Sequence, residues 1–214
     1  FRVQYAVVLA VALLVARKRK RMRLWIGALL TWNLVAIVGL SFGATRGDPE
    51  PNDTVVFAAN LLADKSDAAL LLYAISDLQP DVVALLEYTP RWQSAVDPIR
   101  SDYPHSIEDA RSDNFGIALF SRQPLDGAII DSRTGGFPSI LATLPSGLSV
   151  LATHPPPPIG STYAAHRDAQ FEEIADLAYG MDRLVIVGDF NATGFSPAFR
   201  RLQRDGKLQN AARS

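Results

Sequence analysis

The sequence predicts an α/β or α+β sandwich that follows a pair of apolar helices. Two observations carry that expectation. From residue 54 onward, short β-branched or apolar runs alternate with helical patterns, yet two of the runs are separated only by a turn. A strictly alternating parallel sheet has no place for adjacent strands of that kind, so a sandwich fits the order better. Before residue 44 the pattern changes: two apolar runs flank a basic one, and no acidic residue occurs.

The first run, Val3 to Ala16, is interrupted only by Gln4, and the second, Leu24 to Phe42, is 19 residues without a formal charge. A bilayer is spanned by about 20 apolar residues. Between them lies Arg17-Lys18-Arg19-Lys20-Arg21-Met22-Arg23, six cations in seven residues. A secretory signal places its cations before one apolar stretch, not between two, and a buried hairpin seldom tolerates such a turn beside helices with no polar face. Residues 1–43 are therefore expected to form a transmembrane hairpin in an inner or plasma membrane. Its basic loop, 17–23, would face the cytoplasm and Gly43 onward the periplasmic or extracellular side. Trp25 sits where an interfacial aromatic would.

Residues 44–53 are rich in Gly, Pro and acids and read as a linker. The globular domain is expected over 54–214. Its strand candidates are Thr54–Asn60, Val82–Glu87, Phe115–Ser121, Ile140–Leu144, Leu148–Thr153 and Leu184–Gly188. Pro145-Ser146-Gly147 looks like the turn of a hairpin between the fourth and fifth. Helix candidates are Ser66–Leu78 with Ser66 as N-cap, Thr89–Ile99, Tyr163–Tyr179, and a segment opened by Ser196-Pro197. His105, between Pro104 and Ser106, reads as a surface loop residue. The chain starts at Phe1 and stops in a polar run, so a fragment of a longer protein is expected.

With no cysteine, disulfides, thiolate zinc sites and cysteine nucleophiles are excluded. The net charge of −1 conceals an asymmetry. Seven of the 21 Lys/Arg lie in 1–43, and the remaining 14 face all 22 Asp/Glu, leaving 44–214 at −8. That balance disfavours tight non-specific binding of duplex nucleic acid. It is no obstacle to a small phosphoester held through a metal.

Four polar positions each end or follow an apolar run: Asn60, Glu87, His154, and Asp189 with Asn191. Strand ends are where a rigid sheet can present groups to a shared cleft. Mg²⁺ takes oxygen ligands, usually one or two carboxylates with several waters kept. Glu87 and Asn60 can supply such oxygens, Asp189 can orient or deprotonate a water, Asn191 can hold a phosphoryl oxygen, and His154 can donate to developing charge. Taken singly, each has a plainer reading: Glu87 as a helix N-terminal acid, Asn60 as a turn residue, His154 as a solvated loop histidine, and Asp189-Phe190-Asn191 as an Asx-turn.

Together they resemble the endonuclease/exonuclease/phosphatase, or DNase I-like, family. Val56-Phe57-Ala58-Ala59-Asn60-Leu61-Leu62 is similar to its first motif, and Asp81–Glu87 (DVVALLE) to its metal-binding glutamate motif. Asn114–Arg122 (NFGIALFSR) resembles its glycine-containing strand, Ala152-Thr153-His154 its strand-end Thr-His, and Gly188-Asp189-Phe190-Asn191 its Gly-Asp-Phe-Asn signature. The resemblance runs from about Val55 to Asn210 and implies a four-layer α-β-β-α sandwich. It implies Glu87 as principal Mg²⁺ ligand, Mn²⁺ being an alternative ion, with Asn60 beside it. It implies His154 and Asn191 on the scissile phosphate, and Asp189 positioning the attacking water. Asn114 and Arg167 would be further substrate contacts. Arg167 to Gln170 matches an Arg-x-x-Gln found on the following helix, though Arg167 can equally be a salt-bridged helix residue. The family's C-terminal Ser-Asp-His has no counterpart here, so the domain is expected to be incomplete and poorly active by itself.

The function expected is thus a Mg²⁺-dependent hydrolase of phosphodiester or phosphomonoester bonds, anchored in a lipid bilayer. Its substrate would be nucleic acid, a phospholipid headgroup or a sugar phosphate, and no protein partner is implied. The alternative is a membrane-tethered binding module that kept the fold and lost catalysis.

Overall fold

The computed structural model describes residues 2–16, 19–41, 53–62 and 68–211, with the side chains of 2–3 and 35–41 outside that description. Two compact units result: Phe1–Asp48 with Gln209–Ser214, and Pro49–Leu208.

In the first unit, α1 (Arg2–Val15) and α2 (Lys20–Ser41) pack against each other. Among the described residues no helix is long and apolar enough to cross a membrane. At 1.5 Å per residue α1 reaches about 21 Å, short of a hydrocarbon core of about 30 Å. The first turn of α2 carries Lys20, Arg21 and Arg23. The transmembrane hairpin expected from the sequence therefore finds no support in the structure, which shows only two helices packed together. Arg17 and Lys18 of the basic loop, the linker up to Asn52 and the proposed cap Ser66 fall outside the described residues.

The second unit holds two four-stranded sheets. One runs β1 (Val56–Asn60), β2 (Val82–Leu86), β4 (Ile117–Ser121), β3 (His105–Asp109); the other runs β5 (Asp126–Asp131), β6 (Pro138–Thr143), β7 (Ser149–Thr153), β8 (Leu184–Gly188). In each sheet a single parallel pair is built by a β-α-β crossover. β1 and β2 are joined through α3 (Ala68–Leu78), and β7 and β8 through α5 (Gly160–Tyr179). The other pairings are antiparallel.

The strands β2, β4 and β7 are buried along their whole length, which is why they read as unbroken apolar runs and not as alternation. One face of the first sheet packs Val83, Leu85 and Phe120 against Leu71 and Ile75 of α3 and against Trp92 of α4 (Pro90–Ala95). The opposite faces of the two sheets meet through Val82, Ala84, Leu86, Ile117, Leu119, Ile140, Ala142, Val150 and Ala152. The outer face of the second sheet packs Leu151 against Phe171, Ile174 and Ala175 of α5 and against Ala198 and Leu202 of α6 (Pro197–Asp205). The layers are therefore helix, sheet, sheet, helix, an α/β sandwich of the DNase I-like kind.

Local chemistry sets the boundaries. Thr89 caps α4 by accepting from the Trp92 amide at 3.4 Å, with Pro90 in the first turn where its missing N–H costs nothing. Gly147, at φ 78°, closes the β6–β7 hairpin by donating to Leu144 O at 2.8 Å. Two elements were not anticipated. β3 begins at His105, a half-buried strand residue and not a loop residue, and β5 is exposed at every position.

Candidate active site

The two parallel pairs end level with one another. Asn60 is in register with Leu86, the residue before Glu87, and Thr153, the residue before His154, is in register with Gly188, the residue before Asp189. Each crossover thus delivers two polar residues to the carboxyl ends of neighbouring strands, where sheets of this kind collect ligand-binding groups.

Side-chain bonds join the two halves across the sandwich. Asn60 Nδ2 donates to Glu87 Oε1 at 3.0 Å and to Asp189 Oδ2 at 3.2 Å. Its Oδ1 accepts from the Leu62 amide at 3.0 Å, which fixes the orientation of the amide group. Asn60 therefore turns nitrogen, not oxygen, toward the carboxylates: it draws them together and offers no ligand oxygen in this arrangement. Asp189 Oδ1 accepts from the Asn191 amide at 2.9 Å, and Asn191 Nδ2 donates to Pro155 O at 2.9 Å, tying the loop after β8 to the residue that follows His154.

Backbone strain concentrates here. Leu62 (φ 52°), Glu87 (φ 57°) and Asn191 (φ 46°) occupy the left-handed region, and Gly188 lies at φ 145°. A non-glycine residue held there costs on the order of 1 kcal/mol or more and persists only where its surroundings demand it. A side chain on Gly188 would run into Thr153 O, so the close approach of the two strand ends needs glycine.

His154 is 4 % exposed. Burial pushes its imidazole below the usual histidine range, while the charges of Asp189 and Glu87 and a backbone hydrogen bond to Asn114 pull the other way. Its Nδ1 is buried with no protein partner among the described residues. Phe115 packs beside the ring, centroids 5.7 Å apart.

The two substrate contacts implied by resemblance separate. Asn114 is exposed, and its backbone meets His154. Arg167 instead pairs with Asp168, 2.7 Å from its Oδ1, and lies over the Phe171 ring on the outer face of the second sheet. Its neighbour Gln170 reaches the strand ends. Only 2 % exposed, Gln170 sends Nε2 to Phe137 O (3.2 Å), Ser139 Oγ (3.2 Å) and Thr153 Oγ1 (3.4 Å), bracing the end of β7 just before His154. A signal for it existed: Gln170 shares the α5 face that buries Phe171, Ile174, Ala175 and Ala178, where a polar residue must find partners.

Among the described residues no group of three or more His, Asp or Glu is placed to hold a metal ion. The donor set at Glu87 and Asp189 nonetheless fits one. Mg²⁺ is commonly bound by one or two carboxylates with its remaining positions filled by water and substrate phosphate, and two carboxylates here are drawn onto one amide.

The α/β sandwich thus brings two carboxylates, two amides and a buried histidine to the carboxyl ends of β1, β2, β7 and β8. The chain belongs to the endonuclease/exonuclease/phosphatase family, whose model matches residues 30–213. No curated protein matches it by sequence. Among solved structures it is similar to the human nocturnin catalytic domain with bound sulfate, at 22 % identity and TM-score 0.57 over 72 % of this chain and 70 % of that one. It is also similar to D. rerio TDP2 complexed with a single-strand DNA product (17 %, TM-score 0.54, 74 % and 66 %). A third is truncated Caenorhabditis elegans TDP2 (16 %, TM-score 0.53, 68 % and 65 %). At these identities the likeness is one of fold, and the chain spans about two thirds of the length of these structures.

Proposed function

We propose that this chain carries the site of a Mg²⁺- or Mn²⁺-dependent hydrolase of phosphodiester or phosphomonoester bonds. The observation that carries this reading is the convergence of Glu87 and Asp189 on the Asn60 amide beside the buried His154. Family membership supports it, since the family is one of phosphoester-cleaving enzymes.

A divalent ion at this place would neutralise charge on the phosphate and polarise its oxygens. Glu87, with its backbone fixed at φ 57°, would be the carboxylate holding the ion. Asp189 is oriented at both oxygens, by Asn60 and by the Asn191 amide, and is suited to aim a water at phosphorus and take its proton. Asn191 would turn its side-chain N–H groups from Pro155 to a phosphoryl oxygen. His154 is kept neutral by burial. With its hydrogen bond to the Asn114 backbone in place, Nδ1 acts as an acceptor for a hydroxyl or water proton. It becomes a donor to a phosphate oxygen only on protonation, which the two carboxylates favour.

Mg²⁺-dependent hydrolysis of bis-p-nitrophenyl phosphate tests the reading. Glu87→Ala and Asp189→Ala are each expected to lower the rate at least about 100-fold. Rates equal to wild type in both variants would remove the assignment. The same assay on residues 44–214 tests the expected poor activity of this stretch alone, which strong hydrolysis would overturn. The basic, acid-free residues 1–43 support membrane attachment, with the hydrolase domain on the outer face. Release of the protein from membranes by alkaline carbonate would count against it.

A further inference from the structure

Three separate segments bring rings together beside His154. Phe115, in the loop before β4, lies between His154 (5.7 Å between centroids) and Phe137 (4.7 Å), which precedes β6. Phe137 in turn meets Tyr163 at 5.9 Å and His166 at 5.6 Å, both in the first two turns of α5, and Tyr163 and His166 are stacked at 28°. The strip is not simply core. Phe137 is 6 % exposed, but Phe115 is only half-buried and Tyr163 is 39 % exposed, so the strip runs from the site histidine out to solvent. Gln170 supports it from below by holding Phe137 O to the end of β7.

We propose that this strip is a stacking subsite for the nucleobase of a nucleotide-sized phosphoester. The inference rests on the reading of Glu87, Asp189 and His154 as a phosphate site. A phosphate held at His154 would leave its substituent beside Phe115, with Phe137 and Tyr163 continuing the strip outward. A flat base covers such rings irrespective of its sequence identity. A sugar phosphate offers no aromatic face, and a choline-type headgroup is held by ring faces that enclose its ammonium, whereas Phe137 meets Phe115 and Tyr163 edge to face. The −8 charge of residues 44–214 opposes retention of a long polyanion, so the ligand fitting both observations is a mononucleotide unit or a strand end.

Calorimetric binding of thymidine 5′-monophosphate and of ribose 5-phosphate, in Mg²⁺, tests this directly. Wild type is expected to bind the nucleotide at least about 10-fold more tightly, the typical gain from one base–aromatic stack. Tyr163→Phe should keep that ratio. Tyr163→Leu and Phe115→Leu should each bring it down to within about threefold while ribose 5-phosphate affinity holds. Equal affinity of wild type for the two ligands, binding of neither, or an unchanged ratio in both leucine variants would overturn the subsite. Because Tyr163 is a surface residue, its leucine variant keeps the fold even if Phe115→Leu does not. A protein that hydrolyses bis-p-nitrophenyl phosphate without preferring the nucleotide keeps the hydrolase and loses the subsite. One that prefers the nucleotide without metal-dependent hydrolysis does the reverse.

Discussion

The two open sides of the sandwich are built from opposite chemistry. On one side β3 lies against β5, with sequences His-Ser-Ile-Glu-Asp and Asp-Gly-Ala-Ile-Ile-Asp. On the other side β1 lies against β8, with Val-Phe-Ala-Ala-Asn and Leu-Val-Ile-Val-Gly, and neither strand carries a formal charge. Charges along an edge strand discourage pairing with another chain, so the first side protects itself. The second side has no such device, and it is the one whose strands lead to Asn60, the last residue of β1, and to Asp189, the residue after β8. The site is thus mounted on the apolar edge, where backbone geometry, not charge, fixes the residues. Small backbone changes should therefore be most damaging on the β1/β8 side, charge changes should matter most on the β3/β5 side, and apolar changes in β5 should matter least.

The largest effect is expected at Gly188. It combines φ 145° with a position where a Cβ would overlap Thr153 O, its partner across the parallel pair. Gly188→Ala should cost at least about 3 kcal/mol, from the backbone penalty plus the parting of two strand ends. Hydrolysis should fall with it, because Asp189 would move away from His154 and Asn60. Urea denaturation with the phosphodiesterase assay checks both, and an unchanged midpoint would show that the apolar edge is not held so tightly.

The same contrast explains what the sequence disclosed. β2, β4, β7 and β8 are legible because strands buried on both faces, or built only of Leu, Val, Ile and Gly, leave an uninterrupted apolar run. β3 and β5 are not, because the Glu and Asp that protect an edge erase the run that marks a strand. Asn60, Glu87, His154 and Asp189 could be singled out because each follows such a run, and register then brings them together. The direction of the Asn60 amide, the pairing of Arg167 with Asp168 and the brace formed by Gln170 depend on contacts 30 or more residues distant or on rotamers that a linear pattern does not encode. The positive φ at Glu87 was equally hidden, since the residue type normally avoids it.

The charged side can be probed through Glu108 of β3. Burial tends to raise its pKa, but hydrogen bonds from Arg100, Tyr88 and Ser106 and the Arg100 charge outweigh that and hold it at about 2. Both terminal Arg100 nitrogens donate to it, at 2.7 and 2.8 Å, and its side chain is 14 % exposed. The folded value lies below the unfolded one, so the stabilisation is complete above about pH 4.5 and is lost as pH falls toward 2. Its size is on the order of 3 kcal/mol. Glu108→Gln should therefore be less stable at pH 7 and lose less on acidification between pH 4.5 and 2. Parallel acid-denaturation curves for variant and wild type would sink this account of the edge.

The smallest effect is expected in β5. Ile129 and Ile130 are 41 % and 38 % exposed, so neither is a core residue, and threonine keeps the branched Cβ that suits a strand. Ile130→Thr should change stability by no more than about 0.5 kcal/mol, the usual limit for surface substitutions. Ile186 on β8 packs among the residues beneath α5 and α6, and the same change there removes buried methyl surface and adds a hydroxyl. Ile186→Thr should cost about 1–3 kcal/mol. Urea midpoints of the two variants give the difference directly: both residues are isoleucines in edge strands of one sheet, so intrinsic strand preference cancels. What remains is the helical layer that covers β8 and leaves β5 exposed, and equal losses in the two variants would show that the two sides are energetically alike.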